Sequence, residues 1–298
     1  MNGSDTVMKT VAILDCPEIA APPVMMFVFP EMCRAFTDKG FEVRICRRIQ
    51  DLTDNDIVFM GDFFHCEDPE QLLYDQAPNA IYIGWYWHNF TIRKLKNFIY
   101  THENTLVHDE RVQTMMRKGV TCPLPLRAAD SPEKIGTYPR QDTYEYCYIG
   151  PWAYNRELRP TRFHGFVHDN YGVENFLDYD TRRKVYLSSK LAIAFQNDWN
   201  IEYKHVSQRV YEALAYGCVT FSNSIAAVEQ TEGIVVHITS KDDLETKMEY
   251  YLQHPEEAEK KRQAGYEFIR KCGTNHYTAD LFLATAGLRN TQNSSPQT

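Results

Sequence analysis

The chain has 298 residues, 43% of them hydrophobic and 13% aromatic, with a formal net charge of −8. That length admits two domains of about 150 residues, each with its own core, while the acidic balance offers no basic footprint for a phosphate backbone and so excludes nucleic acid as a partner. The eight cysteines are scattered without a Cys-x-x-Cys pair and no apolar stretch reaches transmembrane length, which excludes a disulfide frame, a structural zinc site and a spanning helix.

The N-terminus has no charged segment followed by a long apolar run, so no secretory leader is expected. The expected setting is cytoplasmic, with reduced thiols and room for a peripheral membrane contact. Residues 7–15 read as a first strand, apolar and stopped by Pro17. A loop with Pro22 and Pro23 leads to a helix over 24–39 that ends at Gly40. Residues 41–46, 56–61, 79–85 and 105–108 read as four more strands with helical stretches between them, the alternation of a parallel, doubly wound sheet. Residues 131–143 are polar and carry Pro132, Gly136 and Pro139, which suits a linker. The expected organisation is a first domain over 1–130, a linker over 131–143, a second domain over 144–289 and a disordered polar tail over 290–298.

The second domain opens with the strand around Tyr146–Ile149. Gly165-Phe166-Val167, between His164 and His168, reads as another strand; the two histidines are then too far apart for a tight metal chelate. Leu191–Phe195 is a short apolar run of the kind buried on both faces of a parallel sheet. The next helix starts near Ser207, a plausible cap, places Val210 and Leu214 on one face, stops at Gly217 and leads into a strand. Such a helix opens at the carboxyl end of a parallel strand, where open α/β sheets bind nucleotides. Its first-turn amides and dipole suit a phosphate. Glu212, one turn further in, suits two ribose hydroxyls.

Arg209-x-x-Glu212-Ala213, then a small residue, Gly217 and a strand, resembles the donor-binding segment of group 1 glycosyltransferases with the GT-B fold. It is closer to the branch that includes the CgeB-type spore-maturation proteins. Further pieces in order carry the same resemblance: Tyr146–Gly150 followed by Arg156, Gly233–His237 followed by Asp242-Asp243-Leu244, Tyr250–Pro255, Ala264-Gly265, and Asn275–Thr278. Together they cover residues 145–285. Cys122–Asp130 resembles the segment that leaves the family's N-terminal domain. In many group 1 enzymes a second glutamate lies eight residues before the first; here that position is Lys204.

The resemblance implies an α/β protein of two Rossmann-like, doubly wound domains facing a cleft. It implies an enzyme, a hexosyl- or pentosyltransferase. Such an enzyme moves a sugar from a nucleotide-diphosphate sugar to a glycan or other hydroxyl acceptor, with retention and without a metal or other cofactor. The donor side would comprise Gly150, Arg156, His164, Ser207, Gln208, Arg209 and Glu212. Glu212 would meet the nucleotide ribose, and the helix amides and Arg156 the diphosphate. His88, in the aromatic loop Trp85-Tyr86-Trp87-His88, would act on the acceptor, with Trp87 stacking on a sugar face. Asp15, Asp62 and His65 are further acceptor-side candidates, and Arg156 and His88 the catalytic ones.

Blander readings stand beside these. Arg209 and Glu212 fit an i, i+3 ion pair on a helix surface, and His88 fits a packed loop residue. Asp178-Tyr179-Asp180 matches the Asp-x-Asp of metal-dependent GT-A enzymes, but it precedes Thr181-Arg182-Arg183 and reads as a helix N-terminus. A non-catalytic GT-B-like protein that binds a sugar or nucleotide, or assembles a coat, is the competing function. A sugar-nucleotide epimerase or phosphorylase is a third. The chain has no Gly-x-Ser-x-Gly, P-loop or His-Glu-x-x-His, and no Gly-x-Gly-x-x-Gly after its first strand, which argues against a dinucleotide dehydrogenase.

Overall fold

The computed structural model describes residues 10–14, 16, 32–60, 69–85, 98–102, 121–123, 128, 130–151, 156–160, 162–169, 177–202, 204 and 206–285. The chain divides into two compact units, Met1–Leu124 with Thr278–Thr298, and Pro125–Tyr277.

In the first unit β1 (Thr10–Leu14), β2 (Glu42–Cys46), β3 (Ile57–Met60), β4 (Ile81–Trp85), β5 (Phe98–His102) and β6 (Thr121–Pro123) form one parallel sheet in the order β2-β1-β3-β4-β5-β6. Val11–Leu14 and Ile57–Phe59 are wholly buried, as the continuous apolar runs of central parallel strands require. Ala12, Leu14, Val58 and Tyr82 pack with Leu73 and Ala77 at helix α2 (Pro69–Gln76); a shorter helical stretch, α1, covers 32–38. The buried Tyr82 hydroxyl reaches the carbonyls of Leu73 (3.2 Å) and Ala77 (2.8 Å), tying the end of α2 to the sheet. The first four expected strands are present. The fifth described strand is Phe98–His102, where none was expected, although its Phe-Ile-Tyr-Thr run has strand composition; residues 105–108 lie outside the described residues.

The second unit holds β7 (Tyr144–Ile149), β8 (Gly165–His168), β9 (Ser189–Ile193), β10 (Val219–Ser222) and β11 (Val236–His237) in the parallel order β11-β10-β9-β7-β8. Side chains alternate across this sheet. Tyr146, Tyr148, Leu191, Ile193, Phe195, Val219 and Phe221 pack on one face with Leu244 and Met248. Cys147, Ile149, Ala192 and Ala194 face the other way, among Val185, Tyr186, Val210, Leu214 and Ile269. The helices are α3 (Tyr179–Leu187), α4 (Asp198–Glu202), α5 (Gln208–Ala215), α6 (Ile225–Gln230), α7 (Lys241–Gln253) and α8 (Pro255–Cys272); α9 (Asn275–Thr285) starts in this unit and belongs to the first from Thr278 on. Strand order reverses between β7 and β9, so the crevice at their carboxyl ends is the topological switch point of this sheet.

The expected linker over 131–143 is a packed part of the second unit. Pro132–Lys134 is a 3₁₀ turn and Ile135 is wholly buried in the core. The Arg140 guanidinium donates to the carbonyls of Tyr216 and Ser189 and to the Asp142 carboxylate. The polar composition conceals these anchors, because Arg140 finds its carbonyl partners 49 and 76 positions away in the sequence. Gly233–His237, the stretch that resembles the family's strand after the donor loop, is strand only at Val236–His237, since Gly233 (φ +80°) sits in a left-handed turn.

Candidate functional site

The switch point of the second unit is built from two loops and a helix. The first follows β7. Gly150 N–H donates to the His168 carbonyl at 3.1 Å, carrying the β7–β8 pairing one residue past the strand. The bare Cα of Gly150 accepts the side chain of Arg209: a Cβ there would overlap the Arg209 guanidinium and lie 3.0 Å from the Tyr148 hydroxyl. The Tyr148 hydroxyl is hydrogen-bonded to Arg209 and also donates to the Pro151 carbonyl at 3.0 Å. Burial raises the Tyr148 pKa above the ordinary phenol value, and the nearby Arg209 cation pulls it the other way. Among the described residues Arg209 forms no ion pair.

The second loop follows β9. Gln196, 1% exposed, links three elements. Its N–H donates to Asn223 Oδ1 (2.8 Å), and Asn223 Nδ2 donates back to its carbonyl (3.0 Å), clasping the ends of β9 and β10. Its side-chain Nε2 donates to Ser207 Oγ at 2.9 Å. Ser207 is the N-cap residue of α5, with an extended backbone, but its hydroxyl does not cap the helix; it accepts from Gln196 instead. The expected side-chain cap is therefore absent: the Ser207 hydroxyl accepts from no first-turn amide of α5, and the Val210 N–H donates to the Ser207 carbonyl at 3.0 Å. Gln196 was not legible as a site residue, because a glutamine after an apolar run looks like ordinary loop.

The third part is α5 itself. Its far end closes as expected: Gly217 (φ +76°) donates to the Leu214 carbonyl (3.1 Å) and Cys218 N–H to the Ala213 carbonyl (2.9 Å), the two bonds of a Schellman ending. A Cβ at Gly217 would overlap the Tyr266 hydroxyl, so the position needs glycine twice over. Glu212 is 3% exposed. The i, i+3 pair with Arg209 does not form. Glu212 Oε1 accepts instead from Nε (3.2 Å) and Nη2 (2.9 Å) of Arg182, on α3. Arg182 Nη1 donates to the Leu177 carbonyl at 3.0 Å, and its guanidinium lies 5.7 Å from the Tyr179 ring centre. Among the described residues Glu212 Oε2 accepts no hydrogen bond.

The structure brings Gly150, Ser207, Gln208, Arg209 and Glu212 to one end of the sheet. It does not bring His164 there. The register sets Tyr146 beside Gly165 and Ile149 beside His168, so His164 lies at the amino end of β8, five positions or about 16 Å of strand from the level of Gly150. Its N–H donates to Glu145 Oε2 (2.6 Å) and its ring packs 5.3 Å from Tyr144. His168, not His164, shares the end with Gly150. Arg156 opens the 3₁₀ turn Arg156–Leu158, and its side chain is outside what is described. Arg159 is hydrogen-bonded to the Tyr146 hydroxyl, half a strand away from Gly150. His88, Trp87, Asp15, Asp62 and His65 lie outside the described residues.

Asp178 is the N-cap of α3, accepting from Thr181 Oγ1 (2.6 Å) and Thr181 N–H (2.9 Å). These bonds hold its carboxyl below the usual range. Asp180 pairs with Arg183 at 2.8 Å. Among the described residues no three His, Cys, Asp or Glu side chains converge as metal ligands, and no described helix is long and apolar enough to cross a membrane.

Residues 142–284 match a family model described as Glycosyl transferase-like. None of the curated proteins compared matches the chain. Among solved structures, an alpha-glucosyltransferase in complex with UDP aligns with a TM-score of 0.59 at 10% identity, covering 93% of this chain and 99% of that one. An alpha-glucosyltransferase in complex with UDP-glucose and DNA containing an abasic site aligns at 0.58 and 9% identity, covering 94% and 99%. A beta-glucosyltransferase described as a DNA modifying enzyme aligns at 0.56 and 9% identity, covering 93% and 99%. The chain thus has the two-sheet α/β fold of GT-B glycosyltransferases. These relatives overturn the exclusion of nucleic acid drawn from the net charge of −8. Whole-chain charge averages over every face, and a local positive surface on an acidic protein is invisible to it.

Proposed function

We propose that the chain is a glycosyltransferase that moves a sugar from a nucleoside-diphosphate sugar to a hydroxyl acceptor, with the donor held at the carboxyl ends of β7 and β9. The observation that carries this reading is the Arg209 guanidinium, laid on the bare Cα of Gly150 without an ion-pair partner among the described residues, one helical turn from Glu212. Departure of the nucleotide leaves charge on a diphosphate. A guanidinium and the positive end of the α5 dipole are preorganised for that charge. Glu212 Oε2 takes the ribose hydroxyls. Arg209 and the α5 amides serve where a GT-A enzyme uses a metal, so transfer is metal-independent. Retention follows the group 1 resemblance. Arg156 is a second cation for the diphosphate, His88 takes the acceptor proton, and Asp15, Asp62, His65 and Trp87 lie on the acceptor side.

The acceptor carries a hydroxyl. Glycans and duplex DNA both belong in the assay, since structures of the same fold have been solved with DNA. A thermal-shift screen of UDP, GDP, ADP and CMP with their sugars tests the reading. A ligand that binds the native state raises the melting temperature by mass action, and transfer is then measured with the sugar that gives the largest shift. No shift with any diphosphate at millimolar concentration would contradict the proposal.

A further inference from the structure

We infer that Arg182 is a positioning residue that makes the donor site select ribose over deoxyribose, an inference that rests on the reading of Glu212 as the ribose contact. The geometry is that of a carboxylate held from one side. Two N–H groups of Arg182 converge on Glu212 Oε1, at 2.9 and 3.2 Å, and a third donates to the Leu177 carbonyl at 3.0 Å. The guanidinium also lies against the Tyr179 ring. It is therefore fixed by α3 and by Leu177, two positions before that helix, not by the helix that carries Glu212. Both partners are buried, with side chains 11% and 4% exposed.

A carboxylate at that depth needs a compensating charge. Arg182 supplies it and also sets the rotation of the carboxylate, because Oε1 is committed and Oε2 accepts no bond among the described residues. An ionised carboxylate is an acceptor only, so Oε2 is matched to a group that donates. The 2′ and 3′ hydroxyls of ribose present two donors side by side, and a deoxyribose presents one fewer. Without Arg182 the carboxylate is free to turn away from the diol. A packing ion pair alone would affect every ligand of the fold equally. A positioning pair affects the ligands that carry the diol.

The test uses the full chain and measures affinity by calorimetry for UDP, GDP and ADP, for their 2′- and 3′-deoxy forms, and for inorganic pyrophosphate. The wild-type protein should prefer a ribonucleotide over one of its deoxy forms by about tenfold or more, the size of one charge-assisted hydrogen bond. In Arg182→Met that preference should fall to about threefold or less, while pyrophosphate affinity stays within about twofold. Arg182→Lys, which keeps the charge and loses the second prong, should fall between the two. An Arg182→Met protein that keeps the wild-type preference overturns the inference. If that variant does not fold, Arg182→Lys decides: a preference reduced about threefold or more supports the inference, and an unchanged one overturns it. A wild-type protein that binds pyrophosphate but prefers neither sugar form overturns the ribose reading of Glu212 itself, and the inference with it.

Discussion

Two arginines of the second unit, Arg140 and Arg209, show how opposite ends of one sheet are put to different uses. Arg140 lies toward the amino end of β9, where its guanidinium is saturated by the carbonyls of Tyr216 and Ser189 and the carboxylate of Asp142. Arg209 lies at the carboxyl end of β7, over Gly150, with the Tyr148 hydroxyl beside it and no ion-pair partner among the described residues. A half-buried cation whose donors all close on protein groups holds the fold together. One whose charge is left unanswered costs stability unless something else answers it. In parallel α/β sheets the carboxyl end is where helices present their amino termini, so that end collects donors and leaves them open.

The largest expected effect falls on Glu212. Arg182 remains buried when its partner is removed, so Glu212→Ala should lower unfolding free energy by about 3–5 kcal/mol, measured by urea denaturation without ligand. A surface ion pair with Arg209 would have cost almost nothing. A change under about 1 kcal/mol would mean that the carboxylate is not the buried partner of Arg182.

Arg140→Met comes next. It strands the carbonyl of Tyr216 and leaves that of Ser189 with only the weak Cys218 thiol donor, and should cost about 2–3 kcal/mol in the same experiment. Affinity of the folded protein for pyrophosphate should stay unchanged. A loss of affinity with intact stability would reverse the roles assigned to the two arginines.

The smallest effect is expected at His164. It is exposed at the amino end of β8, so His164→Ala should leave diphosphate affinity within about twofold of wild type and stability within about 0.5 kcal/mol. A clear loss of affinity would return it to the donor side.

The alternation of strands and helices was legible because central parallel strands are apolar on both faces, as Val11–Leu14 and Ile57–Phe59 are. The Gly217 stop was legible because a left-handed position after a helix asks for glycine. What the sequence hid depends on register or on distant partners. His164 and His168 differ by one short strand, and only its pairing with β7 says which of them reaches the end that holds Gly150. Arg182 lies thirty positions before Glu212, so no local pattern links them. Ser207 looks like a helix cap, and its hydroxyl is claimed by Gln196, eleven positions earlier. Ile135 buries itself from a polar segment that reads as a spacer. The exclusion of nucleic acid failed for a related reason, since a sum over the chain carries no information about one surface.

Binding of inorganic pyrophosphate and UDP to the wild-type protein and to Arg209→Met, measured by calorimetry alongside urea denaturation, addresses the assignment of the site directly. Arg209, which has no ion-pair partner among the described residues, should contribute a charge-assisted contact to the diphosphate, so the variant should bind both ligands about ten- to a hundredfold more weakly. Its unfolding free energy should be unchanged or slightly higher, because no ion pair among the described residues is lost. Equal affinities in the two proteins, or a marked loss of stability in the variant, would show that Arg209 serves the fold as Arg140 does and that the diphosphate is bound elsewhere.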